Sequence, residues 1–291
     1  MTTQPTLFIS GAGGKLGRLV LEALLSRGYQ GKIIAGTRKP EELQVAGVEA
    51  RKADFTDPAG LATALRGVDR MLLISTDALG EARRTQQLNA VAAAKAAEVK
   101  RIVYTSMPHP EPGSVIPMAD DHYPTEQAIK ASGLQYTILR ASWYVENLFG
   151  SLPSALKSGK WYSSAGEGRV SYLPRADVAR SAAGALLSEE PGNRVFTLTG
   201  TEALTNREVA AIVTEVTGKP IEVVDVSDAD VTAGMLAAGL PPHVADLLTK
   251  FEIGYRQGAL SMVTNAVEQL WGSKPQTVKA FLTANKAALG A

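Results

Sequence analysis

The sequence has no cysteine, and only three histidines (His109, His122 and His243) occur in its 291 residues. The first absence excludes a thiol nucleophile, a disulfide framework, a Cys-ligated zinc and an iron–sulfur cluster. The second argues against a multi-histidine metal site, so no metal is expected. An excess of charge of either sign is also missing. Lys+Arg number 30 against 29 Asp+Glu, without the basic footprint of a nucleic-acid-binding protein. Long hydrophobic runs are lacking too: Met71–Ser75 and Asn89–Ala97, the most apolar stretches, fall far short of the ~20 residues that cross a bilayer. The chain enters its first strand directly from a short polar lead, Met1 to Pro5, with no charged n-region or cleavage site. The expectation is a cytoplasmic protein with neither membrane nor nucleic acid as partner. No GxSxG elbow, P-loop or HExxH is present, which leaves hydrolase, kinase and zincin readings without support. The chemistry must come from hydroxyls, carboxylates, amides and bases, or from a cofactor.

What the sequence does have is a repeating alternation. Thr6–Ser10, Lys32–Gly36, Val48–Ala53, Arg70–Ser75, Arg101–Ser106 and Gln135–Arg140 read as strands. Pro58–Leu65, Gly80–Glu98 and Asp120–Ser132 read as helices between them, as does a helix from Lys15 to Arg27. Continuous rather than alternating apolar strands fit a parallel sheet covered on both faces. The expected fold is α/β, a Rossmann-like doubly wound parallel sheet with a smaller mixed α/β C-terminal lobe. Residues 1–150 would form the dinucleotide-binding domain, with a contribution from about 170–200. Residues 151–291 would form a substrate-binding lobe packed against it as one unit. In that second part Trp143–Lys157, Arg175–Leu187 and Asn206–Thr217 read as helices, Ser163–Gly168 as a turn, and Val195–Thr199 and Ile221–Val226 as strands. Thr205 and Glu208 have the spacing of a capping box.

The strongest motif is Gly11-Ala12-Gly13-Gly14-Lys15-Leu16-Gly17, placed directly between a strand and a helix. Read as GxxGxxG, its glycines permit a tight turn, close approach of backbone to a pyrophosphate, and close packing of helix on strand. The helix N-terminus then presents free N–H groups to phosphate. Gly11, Gly13, Gly14, Lys15, Leu16 and Gly17 are therefore candidate cofactor contacts. About 20 residues beyond such a fingerprint a carboxylate usually receives the ribose. Here Arg38 and Lys39 occupy that place, and a guanidinium fork suits a 2′-phosphate. NADP(H) is expected in preference to NAD(H), the alternative being a merely solvated basic turn. Strand ends supply further candidates: Asp54 and Phe55 toward the adenine, Ser75 and Thr76 toward phosphate and ribose, and Ser106 toward the nicotinamide. For each of these a turn or capping role is the alternative.

The glycine turn, Arg38, Tyr104-Thr-Ser106, Asp121-His-Tyr-Pro-Thr-Glu126, Ser132–Arg140 and Trp143-Tyr-Val-Glu-Asn147 together resemble the NmrA-like atypical short-chain dehydrogenases. Within that family the chain is most like the bacterial NAD(P)H:quinone oxidoreductases and triphenylmethane reductases. The likeness runs through Arg175-Ala-Asp177 and covers essentially the whole chain. It implies an NADPH-dependent oxidoreductase passing hydride to a quinone-like or other conjugated small molecule. The family also includes NmrA, a regulator thought to sense dinucleotides, so a non-catalytic NADP(H) sensor is the alternative. The YxxxK dyad of conventional short-chain dehydrogenases is absent. On the segment where it would fall stand Tyr123 and Gln127, possible catalytic residues without a lysine's charge to activate the phenol. Gln127 can still hydrogen-bond a ribose. A conjugated acceptor takes hydride into a delocalised system and can be protonated afterwards by water, so a site lacking an acid suits it. Tyr123, Trp143, Tyr144 and Asn147, with Phe149 nearby, are the candidate acceptor wall, against the alternative of ordinary core for the aromatics. Asp120, Asp121 and His122 read as a helix cap favoured by the dipole, the alternative being a metal site or an acid–base pair. The expected assembly is a monomer or homodimer.

Overall fold

The structure, a computed structural model, describes residues 4–290. Seven parallel strands form the main sheet: β1 Leu7–Ile9, β2 Ile33–Thr37, β3 Val48–Lys52, β4 Arg70–Leu73, β5 Arg101–Ser106, β6 Gln135–Ala141 and β8 Arg194–Leu198, in the order β3-β2-β1-β4-β5-β6-β8. Winding reverses between β1 and β4, with Leu7 of β1 paired to Ile33 of β2 on one side and to Arg70 of β4 on the other. Successive residues explain the continuous apolar strands. Leu7, Ile9, Leu72, Val103 and Leu139 pack into one face, with α1 (Lys15–Ser26) and α6 (Arg175–Leu187). Phe8, Ile34, Met71, Ile102 and Ile138 pack into the other, with α2 (Pro58–Ala64), α3 (Gly80–Ala96) and α4 (Ala119–Ala131). A pleated strand sends neighbours to opposite faces, and here both faces are dry.

The smaller lobe holds a two-stranded parallel sheet of β7 (Lys160–Ser163) and β9 (Glu222–Asp225). Around it lie α5 (Leu152–Ser158), α7 (Asn206–Thr217), α8 (Asp228–Ala237), α9 (Pro242–Arg256) and α11 (Val278–Ala284). Its core gathers Val145, Leu152, Trp161, Val213, Phe251 and Phe281. The chain leaves the main sheet after β6, returns for α6 and β8, and leaves again. Asp177, fully buried on α6, accepts from Gln276 N–H at 3.0 Å and pairs with Arg180. Its carboxylate thus ties the two parts of the chain together as well as standing in a helix first turn. The final segment is not confined to the lobe: α10 (Ala266–Trp271) lies back on α6, so closely that a Cβ on Gly184 would sit 2.0 Å from Leu270 O.

One local expectation differs from the structure, and one strand, β7, carried no sequence signal. Trp143–Lys157 is not one helix but a 3-10 turn, Val145–Gly150, followed by α5. Pro153 falls at the start of α5, where its missing N–H is harmless, whereas it would break a helix running through it. The strand β7 directly before the Ser163–Gly168 turn has too few residues to show a period. The Thr205–Glu208 capping box is present in both directions. No helix among the described residues is long and apolar enough to cross a membrane.

Candidate functional site

A cleft of about 850 Å³ opens at the carboxyl ends of the strands, where the winding reversal separates the loops after β1 and β4. Its floor is the turn after β1. Gly11 has φ +59°, and a Cβ on Gly17 would lie 2.4 Å from Gly11 O and 2.6 Å from Ala12 Cα. Helix and turn therefore touch backbone to backbone. Gly14 is the N-cap residue of α1 and provides no side-chain cap, and no acidic residue stands in the first turn. The Gly14 N–H is taken by Gly11 O at 2.9 Å. The N–H groups of Lys15, Leu16 and Gly17, which a helix cannot satisfy internally, are left to the cleft with the positive end of the helix dipole.

Gly11, Gly13, Gly14, Lys15, Leu16, Gly17, Arg38, Asp54, Phe55, Ser75 and Thr76 all line this cleft. Among the described residues no ion pair or hydrogen bond involves Arg38, whereas Lys39 Nζ is held by Glu42 at 2.6 Å. Of the two bases, Arg38 is the one free for an anion. Asp54 is partly engaged: its Oδ1 accepts from Thr56 N–H at 2.9 Å and from Thr56 Oγ1 at 2.7 Å. These bonds, the backbone one foremost, hold its carboxyl below the usual range. Ser75 N–H donates to Thr105 Oγ1 at 2.9 Å. The Thr76 hydroxyl is buried without a hydrogen-bond partner, an uncommon state that a ligand's oxygen would relieve. Open helix amides, an unpaired guanidinium and an orphaned hydroxyl along one cleft fit a phosphorylated dinucleotide.

The remaining candidates lie elsewhere. Ser106 does not line the cleft; its Oγ donates to Glu126 at 2.8 Å. Glu126 is wholly buried and is gripped by Arg140 through Nε at 3.0 Å and Nη2 at 2.7 Å. Tyr123 and Gln127 stand one turn apart on α4, the first half-buried and the second exposed. The aromatics do not converge into one wall. Trp143 stacks on Phe251 at 4.1 Å between centroids, and Phe149 packs on Phe281 at 5.8 Å. Both extend the core of the smaller lobe, packing against its buried apolar cluster. Tyr144 lies under the Arg175 guanidinium at 4.7 Å, and burial pushes its phenol up to about 12. Asn147 is exposed. Nor do Asp120 and Asp121 cap their own helix: the N-cap position of α4 is Met118, at φ 68°. Asp121 instead accepts from Gly80 N–H at 2.9 Å, capping α3 from outside.

Thr37, Ile74 and Gln86 also line the cleft and were not anticipated. Thr37 and Ile74 were within reach, as they sit at the same strand ends as Arg38 and Ser75. Gln86 had no local signal, since only the course of α3 past the cleft brings it there.

Fold and cleft define a dinucleotide-binding α/β protein. Residues 11–189 match the NAD(P)H-binding family model. The chain is 37% identical to quinone oxidoreductase 2 of Escherichia coli, over 93% of this chain and 95% of that protein. The crystal structure of an E. coli NADPH-dependent quinone oxidoreductase complexed with NADPH superposes with a TM-score of 0.91 at 36% identity, covering 96% of this chain and 99% of that one. Triphenylmethane reductase of Citrobacter sp. gives 0.90 at 31% identity, over 98% and 100%. An NmrA-like family oxidoreductase of Aspergillus flavus is 32% identical over 78% of this chain and 76% of its own length. The chain belongs to this NAD(P)H-binding, NmrA-like family. It is an NAD(P)H-dependent reductase of small molecules, similar to quinone oxidoreductases.

Proposed function

We propose that the protein uses NADPH in preference to NADH to reduce a quinone-like or other conjugated acceptor, without a Tyr/Lys acid dyad. When bound, the nicotinamide supplies the hydride. The amides of Lys15, Leu16 and Gly17 hold the pyrophosphate, and Arg38 forks onto the 2′-phosphate. Ser75 and Thr76 meet phosphate and ribose oxygens, and Asp54 and Phe55 border the adenine. The carrying observation is the side chain at position 127. An exposed glutamine stands where conventional short-chain dehydrogenases carry the lysine of their dyad, so position 127 offers no charge to make Tyr123 an acid for the acceptor. A quinone or a cationic dye needs none, because water protonates the product. The E. coli and Citrobacter relatives, named for quinones and triphenylmethane dyes, support this acceptor class. In this reading residues 1–150 with about 170–200 bind the dinucleotide, and the lobe of 151–291 shapes the acceptor's side of the site.

Loss of NADPH absorbance with a panel of benzoquinones, naphthoquinones and triphenylmethane dyes tests the proposal. Turnover on members of the panel, faster with NADPH than with NADH, is expected. Tight NADPH binding with no turnover on any of them would replace it by a dinucleotide sensor. Faster oxidation of NADH would overturn the role given to Arg38.

A further inference from the structure

The loop from Ile74 to Gly80 joins β4 to α3 and lends Ile74, Ser75, Thr76 and Asp77 to the cleft. Its beginning is fixed from the sheet: Ile74 N–H donates to Ser10 Oγ at 2.8 Å and Ser75 N–H to Thr105 Oγ1 at 2.9 Å. Its end is fixed from α4 and α3. Gly80, at φ +60°, donates its N–H to Asp121 Oδ2 at 2.9 Å, and Arg83 Nε donates to Ala78 O at 2.6 Å. Between these anchors sits the partnerless Thr76 hydroxyl.

Behind the second anchor runs a chain of buried polar groups. Arg83 Nη1 lies 3.2 Å from His122 Nε2, His122 Nδ1 lies 2.8 Å from Tyr104 Oη, Tyr104 Oη donates to Gln87 Oε1 at 3.0 Å, and Gln87 Nε2 donates to Thr125 Oγ1 at 3.1 Å. A guanidinium only donates, so Nε2 accepts and the imidazole proton stands on Nδ1, facing the tyrosine oxygen. Every donor in the series then meets an acceptor, with one direction throughout. Arg83, Gln87, Tyr104, Asp121, His122 and Thr125 are all buried. An apolar packing of α3 on α4 would avoid the desolvation of an arginine and an aspartate. What this arrangement provides instead is a fixed place for the guanidinium and for the carboxylate that hold the loop.

We propose that Asp121, Arg83 and His122 are positioning residues for the cofactor. Asp121 and Arg83 hold the end of the Ile74–Gly80 loop, and His122 aligns Arg83, so that Ser75 and Thr76 meet the dinucleotide without first being ordered by it. The proposal rests on the NADPH reading above. In a doubly wound sheet β1 to β3 serve one mononucleotide half and β4 onward the other. The loop after β4 therefore bears on whole NADPH more than on its adenosine end.

The test compares dissociation constants of NADPH and of adenosine 2′,5′-bisphosphate for the wild type, Asp121→Ala and Asp121→Asn. Asp121→Ala is expected to weaken NADPH about tenfold, the order of one lost charge-assisted hydrogen bond, while the bisphosphate stays within about threefold of the wild type. Asp121→Asn, whose amide oxygen still accepts from Gly80 N–H, is expected to restore most of the loss. Equal weakening of both ligands, no weakening of either, or an asparagine variant as poor as alanine overturns the positioning role. A wild type that binds neither ligand overturns the cofactor reading itself. Should Asp121→Ala fail to fold, Arg83→Met, which removes the bonds to Ala78 O and His122 and keeps an apolar stem, is judged by the same two ligands.

Discussion

Arg38 and Glu126 show how one charge is left available and another consumed. Arg38, at the end of β2, has no partner among the described residues, and its neighbour Lys39 is already paired with Glu42. A charged hydrogen bond contributes about 1.5–3 kcal/mol. Arg38→Ala is therefore expected to raise the NADPH dissociation constant roughly 10- to 100-fold while NADH changes within about threefold, as read by fluorescence titration. Glu126 is the opposite case, a fully buried carboxylate satisfied by Arg140 and Ser106. Glu126→Ala removes the buried carboxylate that Arg140, Ser106 and Lys130 all contact, and a loss on the order of 3 kcal/mol is expected in urea unfolding, the lower end for a broken buried pair because Glu111 also reaches Arg140 at 3.2 Å. Both charges were visible in the sequence. Which was free and which was spent depended on residues far away in the chain.

At the scale of elements, the turn–helix unit from Gly11 to Ser26 was legible because its chemistry is local. The glycine spacing states where backbone must touch backbone. Gly17→Ala sets a methyl against Gly11 O, an overpacking that costs typically 1–3 kcal/mol. Weaker NADPH binding and a lower melting temperature are expected together, measured by calorimetry and thermal scans. The cap of α7 was equally legible. Thr205→Ala removes the oxygen that accepts from Glu208 N–H, and a loss of about 1 kcal/mol, a few degrees in melting temperature, is expected with cofactor affinity unchanged. Other elements were not legible. The strand β7 is too short to carry a period, and the piece Val145–Gly150 is helical only as a 3-10 turn because Pro153 begins a new helix. Asp121 had the composition of a cap and serves as one, but for α3, which no local pattern names.

At the scale of the whole molecule, burial couples the sheet to acid stability. His122 lies between Arg83 on α3 and Tyr104 on β5, with Asp121 adjacent on its own helix. Burial first, and Arg83 second, lower its pKa from 6.5 to about 3. An unfolded imidazole takes up a proton below 6.5, while the folded one stays neutral until about 3. The unfolded state binds more protons in that window, so the contribution to stability is present at neutral pH and is lost as the pH falls through it. His122→Gln should show a shallower loss of stability between pH 6.5 and 4 than the wild type in urea titrations at each pH, whatever its stability at neutrality.

The sequence by itself determined the alternation of strands and helices, the phosphate-binding turn and the basic residue at the end of β2. Each of these is written in spacing over a few neighbours, where backbone sterics and burial period act. The lack of cysteine and the scarcity of histidine likewise narrowed the chemistry to hydroxyls, carboxylates, amides and bases, or a cofactor. Tertiary structure alone decided which side chains were spoken for. Ser106 turned to Glu126, Trp143 and Phe149 joined the core of the smaller lobe, and α10 returned to the sheet. It also converted Asp121 and His122 from an apparent helix start into the buried support of a cleft loop. Hydrogen-bond partners and packing neighbours for these groups come from distant parts of the chain, and they exist only once the sheet has brought those parts together.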